Sequence, residues 1–365
     1  MQAATNNRLP LIDALKACAC VLIVWHHLAF YGPMSDVARP LAPDLIDWLA
    51  QNARIAVQVF LVIGGFLTAR SLAPAGTAHF DSPLAHIFKR YGRLVMPYLV
   101  ALALSLVVAK LVRPLLPGDV VPDAPREWQV VTNTLLLQDL LGEPALSAGV
   151  WYVAIDFQLF AATVLLLVAA RRVPLPGTLR PVNMALVLVL CGAALSLLFF
   201  NRQPDWDYTG AYFFGAYALG MMAWWGANST RPGYWMAGMA LLGGTALALD
   251  FRIRIAVALM AALMLLWSQA GRGMRWALPG FVHSLGRISY SVFLLHFPIM
   301  LCVGAVVYHL WPTDPVANAL GMVMTFVLSL AAGALLYRGV EARAVTLPRL
   351  GALLAAVLLI GALLP

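Results

Sequence analysis

Charge is scarce in this sequence. Only 11% of its 365 residues are Asp, Glu, Lys or Arg, against roughly 25% in a soluble globular domain, and that excludes a water-soluble enzyme or binding module of ordinary composition. Cysteine is scarce too. The four present, Cys18, Cys20, Cys191 and Cys302, all fall inside apolar runs, so the spacing suggests neither a disulfide framework nor a metal site, and they read as small apolar side chains. No small-residue cleavage site follows the first apolar stretch, which is also too long for a signal-peptide core, so it is expected to be retained as a membrane span. Neither a shift in composition nor an internal repeat divides the chain. A single membrane domain over residues 1–365 is therefore expected.

Apolar residues are abundant: 62% of the chain, with a mean hydropathy of +0.83. Runs near the length needed to cross a bilayer lie at 11–31, 53–72, 94–112, 150–170, 183–200, 211–226, 233–250, 254–270, 287–310, 317–337 and 348–364. The pattern predicts an all-α, polytopic membrane helix bundle of about 10–11 transmembrane helices, the last run being able to lie at the interface instead. Placing the N-terminus in the cytoplasm puts sixteen of the 24 basic residues, Arg8, Arg180 and Arg275 among them, on the inner side, as the positive-inside rule requires. Topology and anionic lipid then account for the net charge of +8, and nucleic acid is not needed as a partner. Residues 73–93 are expected to form a cytoplasmic loop, and 32–52 and 113–149 outer loops. Trp48, Trp128, Trp206 and Trp311 read as interfacial anchors or as sugar-stacking groups.

Four stretches carry chemistry. In 16-KACACVLIVWHHLAFYG-32, Lys16 and His27 are eleven apart, which on a helix separates them by about 20° in angle and about 16 Å along the axis. Asp13, Cys20 and Tyr31 continue the stripe. Ionisable residues inside a span usually face a bundle interior or a wet cavity, though Lys16 could also snorkel to the headgroups or pair with Asp13. A neutral imidazole at His27 can take a proton from an attacking hydroxyl near neutral pH. In 88-FKRYGRLVMPY-98, Lys89, Arg90 and Arg93 read either as topology signals or as phosphate ligands. In 150-VWYVAIDFQLF-160, Asp156 lies about 9 Å inside a span and needs a partner or water. In 286-GRISYSVFLLHFPIM-300, Ser289 and His296 share a face next to Tyr290, without an evident third member of a hydrolase triad.

These stretches, with 57-VQVFLVIGGFLTARSL-72, 213-FFGAYALG-220 and 337-YRGVE-341, occur in the order seen in the acyltransferase type 3 family. The chain resembles that family from residue 8 to about 343, with the 348–364 span as an addition. The family's intramembrane basic residue and histidine match Lys16, where arginine is usual, and His27. Its RxxR matches Arg90 and Arg93, and its tryptophan-aromatic-acid signature matches Trp151, Tyr152 and Asp156, where glutamate is usual. Gly64-Gly65-Phe66 stands where the family has Ser-Gly-Phe.

The resemblance implies a multi-pass protein of the bacterial cytoplasmic (inner) membrane that moves an acyl group, usually acetyl, from acyl-CoA to a hydroxyl of a polysaccharide or other glycan. It implies catalytic roles for His27, Lys16 and Asp156, and acyl-CoA binding by Lys89, Arg90 and Arg93. Trp151, Tyr152, Tyr290 and His296 would contact substrate, with Asp13, Ser289 and Glu341 in support. Some family members carry a soluble hydrolase-like domain. Without one, the chain would complete transfer itself or hand the acyl group to a separate protein. Two alternatives use the same residues differently: a transporter or flippase for a glycan or lipid intermediate with a His/Asp/Lys relay, and a non-catalytic partner in a polysaccharide synthase complex.

Overall fold

The computed structural model describes residues 9–118, 120–173, 183–272 and 278–364. Arg8, Arg180 and Arg275, which contribute to the inner-side charge count, lie outside them. Fourteen α-helices are described, joined by short 3-10 and π turns: α1 (Pro10–Phe30), α2 (Met34–Ala38), α3 (Pro43–Asn52), α4 (Ala56–Leu72), α5 (Pro83–Val112), α6 (Glu127–Thr134), α7 (Trp151–Arg172), α8 (Met184–Leu198), α9 (Gly210–Ala227), α10 (Pro232–Leu249), α11 (Ile253–Trp267), α12 (Gly280–Leu310), α13 (Pro315–Leu336) and α14 (Leu347–Leu363). No strand is present among the described residues. The protein is a polytopic helical membrane protein. Eight spans are long and apolar enough to cross a bilayer, and α14 is a shorter apolar helix. Together with α9 and α10, helices stand over all eleven apolar runs.

Proline sets many of the starts. It occupies the first or second helical position of α1, α3, α5, α10, α13 and α14, where a missing N–H costs nothing. Side-chain caps add to this: the Ser82 hydroxyl accepts from the Ala85 amide, and Asp314 Oδ1 accepts from the amides of Val316 and Ala317.

Two sequence boundaries need correction. α5 begins at Pro83 and α12 at Gly280, so 83–93 is helical and not loop, and α12 reaches back to include His283. At 30 and 31 residues these helices run about 45 Å, well beyond a hydrocarbon core of about 30 Å, and they project polar turns at the end where α1 starts. The second correction concerns 113–149. This segment is not a plain outer loop, because Thr132, Asn133 and Gln138 are buried, and Tyr91 and Tyr98 of α5 donate to the Thr134 and Asn133 carbonyls at 2.9 and 3.0 Å. Asn133 in turn satisfies the Leu146 amide and the Pro144 carbonyl, as irregular backbone buried in a membrane protein requires.

Glycines set the closest helix crossings. A Cβ on Gly65 would fall 1.8 Å from the Tyr217 carbonyl oxygen, and one on Gly220 would fall 1.9 Å from that of Val62, so α4 and α9 touch backbone to backbone. One on Gly286 would fall 2.3 Å from the Asp13 carbonyl oxygen, which locks α12 against α1. Of the four thiols only Cys20 is buried. Cys18, Cys191 and Cys302 lie on the bundle's outer surface, and all four are free.

Candidate active site

The Gly286 contact belongs to a parallel register between α1 and α12 that recurs every seven residues of α1, about two turns. Asp13 receives His283 Nδ1 at 2.8 Å, the Cys20 thiol donates to the Ser289 carbonyl at 3.5 Å, and His27 Nδ1 lies 2.6 Å from His296 Nε2. The two imidazoles stack, with centroids 4.7 Å apart and planes 17° apart. Both are buried.

The tautomers follow from the donors. His296 Nδ1 is bonded to the Phe293 carbonyl oxygen. A carbonyl can only accept, so in the neutral ring Nδ1 carries the proton and Nε2 is an acceptor. His27 Nδ1 must then donate to it, which leaves the lone pair of His27 on Nε2. That atom makes no hydrogen bond among the described residues. The arrangement is the orienting logic of a Ser-His-Asp triad, with a second histidine and a main-chain carbonyl in the place of the carboxylate.

Gly149 covers this ring. It adopts φ +76°, and a Cβ there would come 2.8 Å from His27 Cε1 and 2.9 Å from the Phe293 ring.

Two cavities of about 370 Å³ each run from the start of α1 toward the pair. The first, at the helix ends, is lined by Asp13, Arg70, His283, Arg287 and Tyr337. The second continues inward past Arg93, Tyr290, Ser289 and Asp156 to Ile23, Tyr152 and Phe293. They meet at Lys16, Leu67 and Glu341, which line both. Ile23 is one helical turn, about 6 Å, short of His27. Phe293 stands between, with its ring centroid 6.5 Å from His27 and 5.9 Å from Tyr152.

Inside the second cavity Arg90 is ion-paired to Asp156. Asp156 is 3% exposed, and Gly64 makes room for it, since a Cβ there would come 3.3 Å from Asp156 Oδ1. Arg90 Nε is buried and has no partner, which leaves a donor unspent. Ser291 donates to Glu341 at 2.6 Å. Tyr290 donates to the Leu94 carbonyl at 2.9 Å, and Ser289 to the Gly286 carbonyl at 3.0 Å.

The structure therefore gathers Lys16, Arg90, Arg93, Tyr152, Asp156, Ser289, Tyr290 and Glu341 around one cavity. It separates others. Lys89 is exposed and lines neither cavity. Asp13 is held by His283 and not by Lys16. Asp156 faces Arg90, so the group that orients His27 is His296. Trp151 lies outside both of these cavities, under Arg54 at 4.6 Å and lining a separate hollow. Ser289 and His296 form no dyad. Sequence reasoning missed His283, Ser291, Phe293 and Gly149. For His283 and Ser291 a signal existed, since a half-buried carboxylate at Asp13 or Glu341 within a span calls for a donor. Among the described residues, no group of three or more His, Cys, Asp or Glu side chains is placed to hold a metal.

Comparison with known proteins places this geometry in context. A family model described as "Acyltransferase domain" matches residues 9–338. YrhL of Bacillus subtilis (strain 168), named as a candidate peptidoglycan O-acetyltransferase, is 23% identical over 215 residues, covering 57% of this chain and 31% of its own length. A Caenorhabditis elegans protein named "Regulator of hypoxia-inducible factor 1" is 22% identical over 185 residues, covering 47% of this chain and 36% of its own. The chain thus spans about a third of the length of these curated relatives. No solved structure gives a significant match.

Proposed function

The chain belongs to the acyltransferase type 3 family, and from that premise we propose that it moves an acyl group, most simply acetyl, from acyl-CoA to a hydroxyl of a polysaccharide or other glycan at a bacterial cytoplasmic membrane. The observation that carries this reading is the joined cavity that enters beside Lys16 and stops one turn from His27, whose basic nitrogen is left free by its bond to His296.

The residues fit a thioester donor entering from the end where α1 starts, which we take as cytoplasmic. Arg70 and Arg287 supply cations at the entrance for nucleotide phosphates, with Arg93 further in; of the Lys89-Arg90-Arg93 grouping suggested by sequence, Arg90 and Arg93 line the inner cavity and Lys89 lines neither. Arg90 holds Asp156 and offers its free Nε–H within the cavity. A narrow pantetheine arm would pass Lys16 and Glu341 and bring its thioester to Phe293. Displacement of the Phe293 ring would open the last turn to His27.

His27 Nε2 then accepts the proton of the glycan hydroxyl as its oxygen attacks the thioester carbonyl. The tetrahedral intermediate collapses with loss of the CoA thiolate, which takes that proton back from the imidazolium, so the products are ester and free thiol. His296 is a positioning residue in this scheme. It fixes the tautomer and the plane of His27 and accepts a stronger hydrogen bond once His27 is charged.

Sealed vesicles containing the protein, given acetyl-CoA labelled in the acetyl group on one face only, test the proposal. Label is expected in glycan when the donor is on the face where α1 begins, and not when it is on the other. Transfer from the wrong face, or none despite tight CoA binding to several acyl-CoA species and glycans, overturns it.

A further inference from the structure

At the opposite end of the bundle lies a second open site, a cavity of about 390 Å³. We propose that it binds an anionic group, a carboxylate or phosphate ester borne by the sugar acceptor, between Arg54 and Arg254. This inference rests on the acyltransferase reading and deepens it.

The arginines carry the argument. Arg54 lies over the Trp151 ring at 4.6 Å and Arg254 over the Tyr212 ring at 4.9 Å, and all four residues line the cavity. Stacking on a ring fixes the plane of a guanidinium while leaving its N–H edge open to a planar anion. Neither arginine makes an ion pair among the described residues. Their neighbour Arg252 behaves differently, being held by Asp250 at 3.3 Å and by the Leu197 carbonyl at 3.2 Å. One carboxylate, Asp207, lines the hollow against three arginines, so the site carries an excess of positive charge near a low-dielectric wall, where a ligand charge counts most.

Its position suits an acceptor. Val57 lines both this cavity and the one that holds Asp156, and Trp151 here adjoins Tyr152 there. Arg54 is also an electrostatic neighbour of His27. An anion anchored on Arg54 would present the nearby hydroxyls of its own sugar ring toward the histidine pair, with the buried amide of Gln58 as a further contact.

Purified full-length protein in uncharged detergent can be titrated with the trimer of galacturonic acid and with its methyl ester, which has the same shape without the charge. The acid is expected to bind at least tenfold more tightly. That advantage should fall with added salt and vanish in the Arg54→Gln/Arg254→Gln variant; each single variant serves as the same test should the double variant fail to fold. Equal binding of acid and ester, or acid binding unchanged in the variants, overturns the proposal. Phosphatidylglycerol that binds through Arg54 and Arg254 while neither saccharide binds would overturn it too, by assigning the site to a lipid phosphate. Transfer of the acyl label from acyl-CoA to glycan is measured alongside. Its absence with several acyl-CoA species and glycans, with acid discrimination intact, refutes the acyltransferase reading alone, whereas transfer without discrimination refutes the anion site alone.

Discussion

Removing Arg90 and removing Asp156 should have unequal costs, and the inequality can be worked from burial. Asp156 is 3% exposed, whereas the Arg90 side chain retains 31% and can still reach water through the cavity. Arg90→Met therefore strands a carboxylate inside the bundle, and breaking a buried pair from one side typically costs about 3–5 kcal/mol. The adjoining cavity can admit some water to the carboxylate, so the lower end, about 3 kcal/mol, is expected. That is roughly a 150-fold change in the folding equilibrium. Asp156→Asn leaves a guanidinium with partial solvent access and should cost less than half as much. The double change Arg90→Met/Asp156→Leu removes both charges together and should recover most of the loss, because apolar replacements of a buried pair are often neutral. Reversible unfolding in mixed micelles reads all three. Costs for Arg90→Met below about 1 kcal/mol, or a double variant as unstable as the sum of the singles, would refute the claim that the pair is a coupled, buried element of the cavity wall.

Other outcomes follow from single contacts. Gly149→Ala places a methyl 2.8 Å from His27 Cε1 at a left-handed φ; it should cost about 1–2 kcal/mol in backbone strain and reduce acyl transfer at least tenfold, read by label transfer at matched protein folding. His296→Gln keeps an acceptor for His27 Nδ1–H and should retain most activity, whereas His296→Phe should lose roughly 10²-fold or more in kcat with little change in the Kd for CoA. Gly65→Leu and Gly220→Leu should each prevent assembly of α4 on α9, seen as loss of the monodisperse species in detergent, because the backbone lies within 2 Å of the added Cβ.

Much of this was legible in one dimension. Membrane helices satisfy their own backbone, so each span announces itself by length and hydropathy alone, and all eleven runs carry helices. The shared face of Lys16 and His27 was equally readable, because it depends on helical repeat and nothing else. Boundaries were less so. The polar run 81-DSPLAHIFKR-90 looks like loop by hydropathy, yet Ser82 followed by Pro83 is a start signal of the kind that caps and first-turn prolines provide, and α5 does begin there. Pairings were not readable at all. His27 and His296 are 269 positions apart, and Arg90 and Asp156 are 66 apart. Periodicity within one helix cannot say which face of another helix it will meet. For this reason His296 read as a substrate contact and Asp156 as a catalytic partner of His27, whereas helix packing pairs His27 with His296 and Asp156 with Arg90.

The account stands most directly on His27. Transfer of labelled acetyl from acetyl-CoA to glycan should be lost, by 10²-fold or more, in His27→Ala, while acetyl-CoA still binds with unchanged Kd, since the donor cavity ends a turn short of that residue. Full transfer by the alanine variant would contradict the mechanism at its centre.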